Sequence, residues 1–266
     1  MPVVLLSMYL LITHMGTMLS VRELASQWRT IAVALIGIVG IIALTMTIGA
    51  AIFGFETVLV ATPPLTGGIV AAIVMSDAAT ALGRDDLAIL AIIMYVMQGF
   101  VGYPLTAIML KKEGTRLISG FRSGEIKHVK DTSKEEVSVR KKLIPALPKD
   151  YQTTYVLLAK LGLTAWAAVS FSGAIKPIID ISPFVMCLFF GVISQEIGFV
   201  EQRPLNLSGS FGFLITVLMA YVFAGLARAT PAMLVEIVVP LAVIIILGVT
   251  GMGILSMLLG KRLGYT

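Results

Sequence analysis

The chain has 266 residues, 58% hydrophobic and 13% charged, with a formal net charge of +5 and a mean hydropathy of +0.97. Soluble domains carry about 25% charged residues, so this composition excludes a water-soluble globular domain and describes an integral membrane protein. The positive excess does not point to nucleic acid, because most of it lies in one loop, and the single Cys187 sits in an apolar run and encodes no disulfide framework.

A membrane-spanning helix needs about 17–25 mainly apolar residues. Seven stretches qualify as spans: Pro2–Leu19, Trp28–Phe53, Leu87–Leu110, Thr153–Ile175, Ser182–Val200, Phe211–Ala227 and Ala232–Leu259. The start of the chain has no basic segment of the signal-peptide kind. An eighth apolar run, Glu56–Gly83, is interrupted in its middle by Thr62-Pro63-Pro64-Leu65-Thr66-Gly67-Gly68. Two prolines remove two backbone donors and push Thr62 out of the helical region, and two glycines permit angles that other residues avoid. Broken backbone at membrane depth survives only where protein or a watery cavity solvates it. The run therefore reads as a discontinuous or re-entrant element lining a substrate or ion path.

The segment Lys111–Gln152 carries 11 of the 20 Lys and Arg residues. The positive-inside rule makes it cytoplasmic, and its Gly, Ser, Glu and Lys content reads as a linker between two halves, 1–110 and 153–266. If Glu56–Gly83 crosses the membrane, Arg22, Arg29 and Arg84 all fall outside. If it enters and leaves on the outer side, Arg22 and Arg29 move inside, and the charges fit better. A weak internal repeat agrees. Leu5–Thr13 resembles Asn206–Thr216, each is followed by a Leu-Ala pair (Leu24-Ala25, Leu226-Ala227), and each leads into a long aliphatic span. A re-entrant Glu56–Gly83 leaves five crossings between a segment and its copy, and an odd number inverts the copy. Inverted repeats with interrupted helices are a recurrent plan of secondary transporters. On this reading the copy of Glu56–Leu110 would follow residue 266, and the chain is expected to be the middle of a longer protein.

With Thr-Pro-Pro-Leu-Thr-Gly-Gly in a re-entrant segment, a basic central loop and an inverted repeat, the chain resembles the glutamate:sodium symporter family. It more distantly resembles the 2-hydroxycarboxylate and bile-acid-type carriers. The resemblance implies an all-α polytopic membrane protein of the inverted-repeat secondary-transporter fold, working by elevator-type alternating access. It implies a sodium-coupled carrier of a small organic anion in the cytoplasmic membrane. Gly68 is followed by Ile69-Val70, which departs from that family's Gly-Gly-x-Gly pattern and leaves the substrate open.

The residues themselves give the candidate site. A half-helix beginning after Pro64 would offer free amides and a positive dipole to a carboxylate. Thr62, Pro63, Thr66, Gly67 and Gly68 form that interruption, and the hydroxyls of Thr62 and Thr66 with freed carbonyls suit a hard cation such as sodium. The competing reading is a proline-kinked span whose glycines serve close packing. Ser76 and Asp77 come next. A carboxylate within an apolar segment is a functional candidate by default, and the alternative for Asp77 is a charge at a helix end. Gln98 lies on the following span and lines the site opposite the loop, or else packs with Gly99 and Gly102. Lys160 reads as a snorkelling side chain or an anion contact, with Glu196 as its partner if the helices meet. His14 reads as a packed core histidine, and Glu236 as a charge near a helix start. No metal spacing, phosphate loop or nucleophile motif appears, so no enzyme and no cofactor beyond sodium is expected. The partners are a small anionic solute and the lipid bilayer, and a homodimer stays open. The alternative function is a non-transporting membrane anchor, or the membrane subunit of a sodium-pumping decarboxylase.

Overall fold

The computed structural model describes residues 2–20, 25–123, 143–145, 147–227 and 229–264. Among these residues the chain is helical, with no strand. In chain order, α1 is Pro2–Met18, and α2 is Trp28–Leu44, continued by a wider π turn at Thr45–Gly49 and a last turn Ala50–Phe53. Then come α3 Phe55–Ala81, α4 Asp85–Arg122, α5 Thr154–Ile175, α6 Pro183–Ile197, the short α7 Pro204–Leu207, α8 Phe211–Leu226 and α9 Pro231–Arg262. Five of the elements (Trp28–Phe53, α3, α4, α5 and α9) are long and apolar enough to cross a membrane, and α1, α6 and α8 are shorter apolar helices. This is the architecture of a multi-pass helical membrane protein. The helix α4 runs 12 residues further than the expected span, so the basic segment from Lys111 to Arg122 is helix and not linker. The next described residues, 143–145, meet the end of α6, where the Ile144 amide donates to the Ile197 carbonyl at 2.9 Å.

The element α3 is a hairpin. Arg84 Nη1 lies 2.6 Å from Glu56 Oε2, although 28 residues of straight helix would hold their backbones about 42 Å apart at 1.5 Å per residue. The reversal happens at Gly68, whose φ of 64° and ψ of −148° are the one non-helical pair inside the element. That region is open essentially to glycine alone. The prolines do not make the break expected of them. Pro63 and Pro64 lie inside the first arm, and Thr62 keeps helical angles. Their effect is chemical, since without N–H groups they leave the carbonyls of Leu59 and Val60 without the usual helical donor.

Two cores organise the packing. One is built on α3, α4 and α9 around Val58, Ala61, Leu90, Met94 and Ile244, with Met46 and Ala50 of the α2 segment packed against it. The other joins α1, α5 and α8 around Met8, Leu161 and Leu218, with Val200 and Leu205 from the segment between α6 and α8. Ile73 of α3 and Ile92 of α4 belong to the second core, so the hairpin and its following helix form the seam between the two groups.

Glycine allows the closest helix contacts. A Cβ on Gly16 of α1 would fall on the backbone of α6 at Leu188 and Gly191, and one on Gly191 would fall on Thr13 and Gly16. The contact between α2 and α9 is reciprocal. A Cβ on Gly40 would strike the Gly251 carbonyl and come within 3.2 Å of Leu255 Cδ1, and a Cβ on Gly251 would strike the Gly40 carbonyl and come within 3.2 Å of Leu44 Cδ1. The sequence around the crossing recurs with it. Gly37, Gly40, Leu44, Thr45, Met46 and Gly49 match Gly248, Gly251, Leu255, Ser256, Met257 and Gly260 at a constant offset of 211. The two helices run antiparallel, because early residues of α2 meet late residues of α9. Ser256 Oγ reaches the Val33 carbonyl at 3.5 Å, Gly37 faces Met252, and Ile41 faces Gly248.

This match has a different register from the repeat expected from Leu5–Thr13 and Asn206–Thr216. Leu5–Thr13 is continuous helix in α1, whereas Asn206–Ser210 is the end of α7 and a turn with Gly209 at φ 68°. Those two stretches are not structural copies.

Two measurements check this fold. With Cys187 replaced by serine, the pair Glu56→Cys and Arg84→Cys is expected to be joined intramolecularly by a short bifunctional maleimide. A straight α3 would leave the pair unjoined. Gly40→Ala and Gly251→Ala are each expected to lower stability by about 1–3 kcal/mol through overpacking, about 2–4 °C of melting temperature per kcal/mol in a chain of this size. Gly253→Ala, with nothing within 4 Å of its new methyl, is expected to leave the melting temperature where it is or raise it slightly.

Candidate functional site

The hairpin tip is set by its neighbours on α2 and α9. The first arm runs back along α2: Val58 packs on Gly49, Thr62 meets Thr45, and Leu65 lies against Gly248 of α9 beside Ile41. The Leu65–Gly68 turn therefore stands level with the Gly40–Gly251 crossing, near the middle of α2. The tip thus lies about half-way along the helices, at the depth where broken backbone needs solvation.

The tip residues fall into two groups. Thr62 is 2% exposed and donates its hydroxyl to Thr45 Oγ at 3.1 Å, and Thr45 donates in turn to the Ile41 carbonyl at 2.8 Å. Thr66 and Gly67 are exposed, with Thr66 Oγ donating to the Pro63 carbonyl at 3.1 Å. Pro63 and Gly68 are half-buried. Both threonine hydroxyls have spent their hydrogen, and of the two only Thr66 is exposed and presents its oxygen lone pairs outward. The returning arm begins after Gly68, and its first amides lack helical acceptors. One side of the tip thus offers oxygen lone pairs and the other offers amide donors with the positive end of a helix dipole. Gln98 is half-buried on α4. Fourteen residues separate Gly68 from Leu82 and fourteen separate Arg84 from Gln98, about 21 Å along each helix, so Gln98 stands at the depth of the tip.

Ser76 and Asp77 stand away from it. Nine residues of helix carry Asp77 about 14 Å from Gly68. Its Oδ1 accepts a 2.7 Å hydrogen bond from the Tyr221 hydroxyl of α8, at an exposed position. Thr62 and Thr66 therefore do not converge with Asp77 on one ion, and Asp77 instead ties the returning arm to the second packed group. Ser76, 8% exposed, faces a separate cavity with Thr80. Arg84 closes the open end of the hairpin through Asp86, at 3.1–3.2 Å, and Glu56. These two carboxylates raise the pKa of its guanidinium above the ordinary arginine value, Asp86 contributing more.

In the second group Lys160 Nζ meets Glu201 Oε1 at 2.6 Å, with side chains 18% and 9% exposed, and lies 5.7 Å from the Phe199 ring centroid. Glu196, the partner expected from sequence, is exposed near the end of α6. The chain turns after Gly198 (φ 94°) and brings Glu201 back over α5 instead. The observed partner of Lys160 is a protein carboxylate, Glu201. The ammonium fixes the segment that leads into α7. His14 is fully buried, accepts a 3.4 Å hydrogen bond at Nδ1 from the Leu205 amide, and lies 5.6 Å from the Phe211 ring, tilted by 53°. Glu236 is exposed in the second turn of α9, which Thr230 caps by accepting from the Met233 amide. Sequence reasoning passed over Thr45, the buried partner of Thr62, because its π turn leaves no mark in an apolar span.

Breaking a buried pair by removing one partner costs about 3–5 kcal/mol, whereas replacing both with apolar groups is often neutral. Glu201→Gln is expected to lower the melting temperature sharply, and Lys160→Met with Glu201→Leu is expected to recover most of the loss, read by thermal unfolding in detergent. No protein-family model matches the chain, and neither a curated protein nor a solved structure matches it.

Proposed function

We propose that this chain forms the substrate-handling part of a secondary active transporter. It moves a small organic anion across the cytoplasmic membrane, coupled to sodium, by alternating access. The observation that carries the proposal is the α3 hairpin. Its ends meet at Glu56 and Arg84, its tip lies half-way along α2, and Thr66 and Gly67 stay exposed there. An anchor or assembly subunit has no use for broken backbone at that depth, which carries a cost wherever nothing solvates it. On this reading α3 is re-entrant from the outer face, the amide end of the returning arm receives the carboxylate of the solute, and the oxygen-rich side suits a hard cation.

The inverted-repeat reading has support of its own. If α3 returns to its own side, the crossings after α2 are α4, α5, α6, α8 and α9, and five reversals leave α9 antiparallel to α2. The contacts at Gly37, Gly40 and Ile41 have that sense, and the matched motifs at offset 211 support a pseudo-two-fold at the crossing. Inverted repeats that meet near the bilayer midplane are where transporters of this plan hold substrate.

The test is uptake by the protein in proteoliposomes, with radiolabelled glutamate, malate and citrate, under an inward sodium gradient and under choline. Sodium-dependent accumulation of one of these anions is expected. Gly68→Ala, which strains the reversal by about 1–3 kcal/mol, is expected to lower uptake at least tenfold while the protein still reconstitutes. Absence of accumulation or exchange of any anion under either gradient would return the chain to a non-transporting role.

A further inference from the structure

Where the end of α3, the start of α4, the end of α8 and the start of α9 meet, a cavity of about 90 Å³ is lined by Ser76, Thr80, Asp85, Ile92, Gly225 and Met233 among others. Its polar side chains all offer oxygen: Ser76 is buried, and Thr80 and Asp85 are exposed at its mouth. Ser76 and Thr80 are one helical turn apart and share a face. Thr80 has committed its hydroxyl hydrogen to the Ser76 carbonyl at 2.9 Å, which leaves its lone pairs for a ligand. Asp85 adds a carboxylate, and the adjacent Arg84 does not neutralise it, because that guanidinium is held by Glu56 and Asp86. Helix dipoles do not set the sign of the site. Two helices end there and two begin there, so their partial charges of about half a unit each offset. The carboxylate decides, and the cavity favours a cation over an anion.

Size and donor number narrow the cation. A cavity needs about 10–15 Å³ of such space to hold a water, so this one has room for an ion together with several waters. Calcium takes 6–8 oxygens, usually with several carboxylates, and no group of three or more His, Cys, Asp or Glu able to hold a metal occurs among the described residues. We propose that this cavity binds a sodium ion, held by the Asp85 carboxylate, the Ser76 and Thr80 hydroxyl oxygens and water. The inference rests on the sodium-coupled reading above and places the coupling ion away from the tip. The walls give the position its consequence. Ser76, Thr80 and Asp85 flank the first core, whereas Gly225 belongs to α8, close enough to α4 that a Cβ on it would lie 2.5 Å from Ile92 Cδ1. An ion in the cavity therefore fills the seam between the two packed groups. Asp77 is outside this ligand set, held by Tyr221.

The experiment follows the melting temperature of the detergent-solubilised full chain as sodium chloride replaces choline chloride at constant ionic strength. A ligand of the folded state raises the melting temperature with its concentration, so a saturable rise with sodium is expected. Asp85→Asn and Ser76→Ala are expected to shift the half-saturating sodium concentration at least tenfold upward, and Asp77→Asn is expected to leave it unchanged. If Asp85→Asn does not fold in choline, Thr80→Val, of nearly the same shape, carries the same expectation. No sodium response in the unmodified protein, or a full response in both Asp85→Asn and Thr80→Val, overturns the site. Sodium-dependent melting without uptake of any anion overturns the transport reading and leaves the site standing. Sodium-driven uptake without a melting response does the reverse.

Discussion

A helix that stops inside apolar surroundings must find partners for the backbone groups it frees, and the rest of this fold depends on how α3 meets that demand. Gly68 takes angles open to almost no other residue, so the chain reverses within a single residue and both arms stay helical to within a turn of the break. The unpaired groups are thereby confined to a short tip. Thr62 and Thr66 settle their own hydroxyl hydrogens on Thr45 and Pro63, and the prolines behind them leave carbonyls instead of creating disorder. The open end is closed by Arg84 with Glu56 and Asp86. That network is exposed, so its contribution to stability is small. It nonetheless fixes which ends meet.

The direction of everything after α3 follows from that reversal. A straight α3 would invert every later helix relative to α2, and α9 would then run parallel to α2. The observed crossing is antiparallel and is drawn tight by glycine on both sides, so that backbone meets backbone where any side chain would hold the helices apart. In lipid-like surroundings apolar burial drives helices together weakly, and close van der Waals contact through small residues takes over. The same device joins α1 to α6 at Gly16 and Gly191. The molecule thus consists of two tightly packed groups, with the hairpin and α4 as the seam.

The sequence carried much of this, and its failures have physical causes. The helix bounds came close because spans announce themselves by length and apolar composition. The hairpin was legible from charge counting and from Gly67-Gly68 inside an apolar run. The break falls at Gly68, the last residue of the interruption Thr62–Gly68, and not after Pro64, because prolines in a first arm remove donors without forcing a turn, whereas a glycine at positive φ does force one. The repeat expected from Leu5–Thr13 and Asn206–Thr216 differs in register from the match that the α2–α9 contact brings together. Leu-Ala pairs and aliphatic runs recur by chance, and the informative match was the spacing of Gly37, Gly40, Leu44, Thr45 and Gly49 against Gly248, Gly251, Leu255, Ser256 and Gly260.

By itself the sequence determined the membrane class, the run of apolar helices, and which element is broken. These depend on local composition and on what a single residue's backbone permits. Only the tertiary structure decided that Lys160 pairs with Glu201 and not Glu196, and that Asp77 is held by Tyr221. It also decided that Thr62 meets Thr45, and that Ser76, Thr80 and Asp85 face one cavity. Each of these is a choice among partners distant in the chain. It is made by how helices pack side by side, and one-dimensional spacing does not encode that distance.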